Sequence, residues 1–130
     1  MVIDTSALLA VLLAEPEKDA FLSAMLDDPV RLVSTGTLLE ASIVLAARGG
    51  EDNVHDLDRF VLDAEIEIVA FDHQHLALAR TAWRRFGRGK HKAALNFGDC
   101  MSYALARSRD EPLLFKGEDF IHTDVERVQQ

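Results

Sequence analysis

Met1-Val2-Ile3-Asp4-Thr5-Ser6-Ala7-Leu8-Leu9-Ala10-Val11-Leu12-Leu13 is the stretch that decides the fold. Met1, Val2 and Ile3 form a short apolar run, which fits a buried strand. Asp4 ends it. Thr5 and Ser6 then offer N-cap oxygens to a helix that runs on to Leu13. An acid at the carboxyl end of a strand, just ahead of a helix, stands where open parallel sheets hold their ligands.

The rest of the chain repeats that alternation. Pro16 fits the first turn of a second helix, through Phe21 and Met25 to Leu26. Asp27-Asp28-Pro29 is a turn, and Val30 to Ser34 alternates like a strand. A helix through Leu38, Leu39, Ile43, Val44 and Ala47 stops at Gly49-Gly50. Asp52 or Asn53 is expected to cap the next helix, with Leu57, Phe60, Val61 and Ala64 inward. Glu67 to Phe71 reads as a third strand. Asp72 caps a helix from His73 to Phe86, with apolar positions at Leu76, Ala79, Ala82 and Trp83. Gly87 to Lys90 is a flexible basic loop. A helix from Phe97 to Ser108 leads to a buried fourth strand, Pro112 to Phe115, and a short fifth is expected near Asp124-Val125. Strands separated by helices predict an α/β chain with a parallel sheet and helices on both faces.

With 130 residues and 48% of them apolar, the chain can bury one real core as a single domain. Cys100 is its one cysteine, so an internal disulfide is impossible and a reducing, cytoplasmic setting is expected. The start lacks a basic leader region, and the Ala7 to Ala14 run is far shorter than the ~20 residues of a membrane span. A net charge of −8 argues at first against a polyanionic partner. However, the stretch between His73 and Gly98 holds no acid and carries Arg80, Arg84, Arg85, Arg88, Lys90 and Lys92. Such a segment can grip phosphates locally. A solvated basic surface is the competing reading.

Asp4, Glu40, Asp99 and Asp119 each stand where pattern assigns the interior or its edge. Glu40 lies beside Ile43 and Val44. Asp99 opens its helix, with Ser102 and Tyr103 on the same face. Asp119 follows a buried strand and precedes Phe120. Asp4 and Asp119 reach one rim because both follow strands at their carboxyl ends. Taken singly, Asp4 and Asp99 could be caps and Asp119 a turn acid. Together they need a neutralising cation, since burying one carboxylate costs several kcal/mol. All-oxygen ligands suit Mg²⁺ or Mn²⁺ and not zinc, and such a site suits phosphodiester hydrolysis. The histidines show no zinc spacing and no triad partners. Gly87-x-Gly89 is not a dinucleotide loop. Trp83 could stack on a base but fits a partly buried position, and Cys100 and Tyr103 read as structural.

Val2-Ile3-Asp4-Thr5-Ser6-Ala7-Leu8, the helix carrying Glu40, Leu95-Asn96-Phe97-Gly98-Asp99-Cys100 and Leu113-Leu114-Phe115-Lys116-Gly117-Glu118-Asp119-Phe120, with Thr123-Asp124, resemble PIN-domain proteins. More narrowly, they resemble VapC-type toxins of bacterial toxin–antitoxin pairs. The resemblance spans residues 1–130 and implies a three-layer α/β/α sandwich of strand order 3-2-1-4-5. It implies a Mg²⁺- or Mn²⁺-dependent endoribonuclease with Asp4 and Asp99 as direct metal ligands, Glu40 either binding the metal through water or orienting the attacking water, and Asp119 acting through water. Ser6 would support the site, and Asp124 would assist or replace Asp119. A homodimer and a VapB-type antitoxin are the implied partners. Arg84, Arg85, Lys90, His91 and Lys92 are the candidates for gripping RNA. Two other functions stay open: a PIN-like binding module without turnover, and an aspartyl-phosphate phosphotransferase with Asp4 as nucleophile. The second is weakened by Ser6 standing where another acid would help.

Overall fold

The computed structural model describes residues 1–129. Val2 and Ile3 form β1 (Val2–Ile3), and the chain turns at once into α1 (Thr5–Leu12). Then follow α2 (Lys18–Asp27), β2 (Leu32–Ser34), α3 (Thr35–Gly49), α4 (Glu51–Asp63), β3 (Glu67–Val69), α5 (His73–Phe86), α6 (Phe97–Arg109) and β4 (Leu113–Leu114). A 3₁₀ turn covers Asp119–His122. The strands make one sheet of order β3-β2-β1-β4, every pair parallel. Val2 pairs with both Leu32 and Leu113, so β1 lies centrally.

Successive strand side chains point to opposite faces, and here that splits the core in two. Ile3, Val33 and Leu114 join Leu8, Phe21, Leu45 and Leu57 on the side covered by α1 to α4. Val2, Leu32 and Leu113 join Ala79, Ala82, Tyr103 and Leu105 beneath α5 and α6. Each buried Leu or Ile contributes roughly 1.5–3 kcal/mol. β1, β2 and β4 are buried throughout, as expected where helices cover both faces of a parallel sheet, whereas the edge strand β3 leaves Glu67 and Ile68 exposed. No helix among the described residues is long and apolar enough to cross a membrane.

Several details differ from expectation. Among the described residues no fifth strand forms. A single parallel bridge, Leu113 to Arg127, sits on the outer edge of β4, a little beyond Asp124-Val125. Asp4 itself caps α1, accepting the Ser6 N–H, because its extended backbone aims the carboxylate at the helix start. Gly50 precedes α4 in place of Asp52 or Asn53. Its φ of 75° lets the chain leave one helix and enter the next without a linker. Asn53 instead reaches back to the Leu45 carbonyl.

Two helix faces are also corrected. α3 turns Thr37, Ala41 and Leu45 inward, leaving Leu39 and Ile43 63% and 62% exposed. Glu40 therefore sits at the edge of the core, and its apolar neighbour Ile43 is no sign of burial. α5 buries His75, Ala79, Ala82 and Phe86, while Leu76 and Trp83 face outward.

Candidate active site

Asp4 is the best held of the acids. It is 3% exposed, at the carboxyl end of the central strand. Its Oδ2 accepts the Ser6 N–H at 3.0 Å and the Ser6 hydroxyl at 2.7 Å. Its Oδ1 accepts the Ser102 hydroxyl from α6 at 2.6 Å. Hydrogen bonds to a charged group contribute about 1.5–3 kcal/mol each. Three of them match the several kcal/mol that burial costs. Ser6 is tied in turn to the segment that follows the neighbouring strand β4, its Oγ accepting the Lys116 N–H at 2.9 Å. That bond closes the turn after β4 onto the start of α1.

Asp99 occupies the first turn of α6. Its Oδ2 accepts the Asn96 N–H at 3.0 Å, and Asn96 Oδ1 accepts the Asp99 N–H at 2.9 Å, a reciprocal capping box. One backbone donor is not enough to offset its surroundings. Burial first, then the charges of Asp4, Asp119 and Glu40, push the Asp99 carboxyl up to about 7 against the pull of the Asn96 N–H. The other three acids thus all stand close enough to act on Asp99.

Glu40 reaches the same place from α3. The Thr5 hydroxyl donates to its Oε1. Its carboxylate fills the space beside Gly98 where a Cβ would stand. A side chain at 98 would push the Glu40 carboxylate out of this position. Asp119 is exposed on the 3₁₀ turn after β4, at the outer edge of the cluster.

Asp124 belongs elsewhere. Its Oδ1 accepts the Tyr103 hydroxyl at 2.9 Å and its Oδ2 pairs with Arg85 at 3.1 Å. It anchors the segment after the 3₁₀ turn onto α5 and α6, and it is not among the charges that act on Asp99. The Tyr103 hydroxyl is pushed up to about 12 by burial and by that bond. Cys100 is buried, and burial raises its thiol to about 11, with Asp99 adding to the effect. At that value it stays a thiol near neutral pH.

The donor set fits a hard cation. All four candidate ligands are carboxylates. No three His, Cys, Asp or Glu side chains among the described residues stand close enough to enclose an ion unaided. Mg²⁺ needs no such cage, since it keeps several waters and binds through one or two carboxylates plus a substrate phosphate. Asp4 and Asp99 are the residues that would hold it. A closed four-ligand zinc site does not fit.

The basic candidates separate. Lys90 and Lys92 are exposed and form no ion pair among the described residues. Arg84 is exposed and donates to Thr81 on its own helix. Arg85 is committed to Asp124. His91 folds back, its Nδ1 accepting the Ala93 N–H and its ring standing edge-on to Phe86.

Sequence reasoning missed the scaffold of hydroxyls and amides, namely Thr5, Thr37 and Asn96. The Asn96-x-x-Asp99 spacing carried a capping-box signal. Thr5 and Thr37 carried none, because their partners lie on other elements. Ser102 was placed on the face of Asp99, yet the acid it binds is Asp4.

Comparison with known proteins agrees with this architecture. The PIN domain family matches residues 1–126. A "Ribonuclease VapC" of Mycolicibacterium smegmatis is 50% identical over 128 residues, covering 98% of this chain and 99% of the relative. "Ribonuclease VapC30" of Mycobacterium tuberculosis is 48% identical and covers 98% of each chain. Among solved structures, Mycobacterium tuberculosis VapC20, a Sarcin-Ricin loop cleaving toxin, superposes with a TM-score of 0.80 at 17% identity, covering 99% of this chain and 98% of that one. VapBC2 from Rickettsia felis bound to a promoter DNA fragment gives 0.74 at 16% identity, covering 98% and 96%. These two share the fold. With a family match over nearly its whole length and close relatives of equal extent, the chain belongs to the PIN-domain family, among the VapC ribonucleases.

Proposed function

We propose that this chain is the toxin of a type II toxin–antitoxin pair, a Mg²⁺- or Mn²⁺-dependent endoribonuclease that hydrolyses RNA phosphodiester bonds. The observation that carries the reading is the convergence of Asp4, Glu40, Asp99 and Asp119 from separate elements, each of the first three held by its own donor. Asp4 and Asp99 would hold the cation. Glu40, fixed by Thr5 at one oxygen, orients the attacking water with the other. Asp119 works through water at the exposed edge, where the RNA backbone arrives. The bound cation supplies the positive charge that stabilises the attacking and leaving oxygens. Lys90 and Lys92, with Arg84, meet the phosphates, and such contacts hold RNA without choosing its sequence.

A VapB-type antitoxin is the partner in this reading, supported by the VapBC architecture of the Rickettsia felis neighbour. A second copy of the chain is the other. An apolar groove of about 680 Å³ between α5 and α6, lined by Leu76, Trp83, Phe97 and Met101, supports it, because Phe97 is 80% and Trp83 41% exposed there and a second copy would cover them. The lone buried Cys100 suits the reducing cytoplasm.

The test is cleavage of cellular RNA by purified protein with Mg²⁺ or Mn²⁺, with the new 5′ ends mapped. Asp4→Asn and Asp99→Asn should each lose activity by several orders of magnitude while keeping the wild-type circular dichroism spectrum. Cleavage by the double variant at the wild-type rate would sink the site assignment.

A further inference from the structure

We propose that Ser102 is a positioning residue that leaves Asp4 one oxygen position for a cation, and that Thr37 acts through it. The inference rests on the metal reading above. A carboxylate offers about four lone-pair sites, two on each oxygen. Asp4 Oδ2 already accepts two donors, the Ser6 N–H and the Ser6 hydroxyl. Oδ1 accepts one, from Ser102 at 2.6 Å. The second lone pair of Oδ1 is what remains. The Ser102 bond therefore decides where that lone pair points.

The direction of the chain behind it follows from proton counting. A serine hydroxyl has one proton, and Ser102 gives its proton to Asp4, which only accepts. The 3.2 Å contact between Thr37 Oγ1 and Ser102 Oγ must then have Thr37 as donor. Thr37 and Ser102 are both 0% exposed, so no bulk water competes for either hydroxyl. Thr37 lies one helical turn before Glu40 on α3, and Ser102 one turn after Asp99 on α6. The relay from Thr37 through Ser102 to Asp4 thus ties together the three elements that carry the inner acids. Outer partners of this kind typically set metal affinity by about 10–100-fold.

Mn²⁺ titrated calorimetrically into the purified protein, without RNA, tests this. Ser102→Ala should bind Mn²⁺ about 10–100-fold more weakly than wild type. Thr37→Val should weaken binding to a lesser degree, and Thr37→Ser should restore it. In the Ser102→Ala background, Thr37→Val should add nothing, because its path to Asp4 is already cut. If Ser102→Ala does not fold, the Thr37→Val and Thr37→Ser pair still decides the matter. Unchanged Mn²⁺ affinity in Ser102→Ala or Thr37→Val, with loss of thermal stability alone, would reduce the relay to packing and overturn the proposal. A full additional effect of Thr37→Val in the double variant would overturn its directional part. Wild-type protein that binds no Mn²⁺ would instead remove the metal reading itself, and this inference with it.

Discussion

Asp99 shows how one residue can serve structure and chemistry in conflict. Its capping box stabilises the start of α6, yet its burial among Asp4, Asp119 and Glu40 raises its carboxyl from 3.8 to about 7. Between those values the folded chain holds a proton that the unfolded chain has released. Stability on this account is greatest below the lower value, falls as pH rises through the window and levels off above it. Asp28, Asp72 and Asp124 are shifted the other way, so their contributions change only at lower pH. We predict that metal-free protein loses stability between about pH 4 and about pH 7, and that Asp99→Asn removes much of that slope. Urea unfolding with a chelator present measures it. Parallel curves for variant and wild type would contradict the assignment. Added Mn²⁺ should restore more stability at the alkaline end, where Asp99 is free of its proton.

At the scale of elements, α5 and the loop after it sort the basic residues by what they touch. Arg85 is spent on holding Asp124, whereas Lys90 and Lys92 are free in solvent. Replacing both lysines with alanine should weaken RNA binding and reduce the salt slope by about 0.7 for each phosphate that is no longer neutralised, as for single strands. Arg85→Ala should leave the slope nearly unchanged and loosen the segment around Asp124 instead. The opposite pattern in filter binding across salt concentrations would take the 90–92 loop off the RNA path. Element order was legible here because strand and helix periods alternate cleanly and Gly49-Gly50 and Asp72 punctuate them. The inward face of α3 was not legible. Thr37 is buried because a hydroxyl on another helix satisfies it, and Leu39 and Ile43 stay outside despite their apolarity.

For the whole molecule, the apolar groove between α5 and α6 sets the expected assembly. Leu76 and Trp83 stand outward from a helix whose opposite face is already packed on the sheet. Light scattering behind a sizing column should give twice the 14.4 kDa chain mass for wild type, and close to one chain mass for Leu76→Glu with Trp83→Glu. Charges buried in an apolar contact are strongly unfavourable, which is why this pair should separate the copies without unfolding either. A wild-type protein that runs as a monomer would refute the dimer.

The opening stretch contained more than its local pattern shows. Val2-Ile3-Asp4-Thr5-Ser6 by itself determined a buried strand, a turn into a helix and an acid at the junction, since these depend on residues adjacent in the chain. The acids at 40, 99 and 119 were visible as acids out of place. Their convergence was decided only by the tertiary structure. Parallel pairing aligns the carboxyl ends of β1 and β4, and Gly98 admits the Glu40 carboxylate. Ser102 and Thr37 were likewise assigned only in three dimensions. A hydrogen bond between residues 98 positions apart leaves no trace in sequence spacing. For the same reason Asp124, an acid near the right motif, turned out to hold Tyr103 and Arg85, away from the charges that surround Asp99.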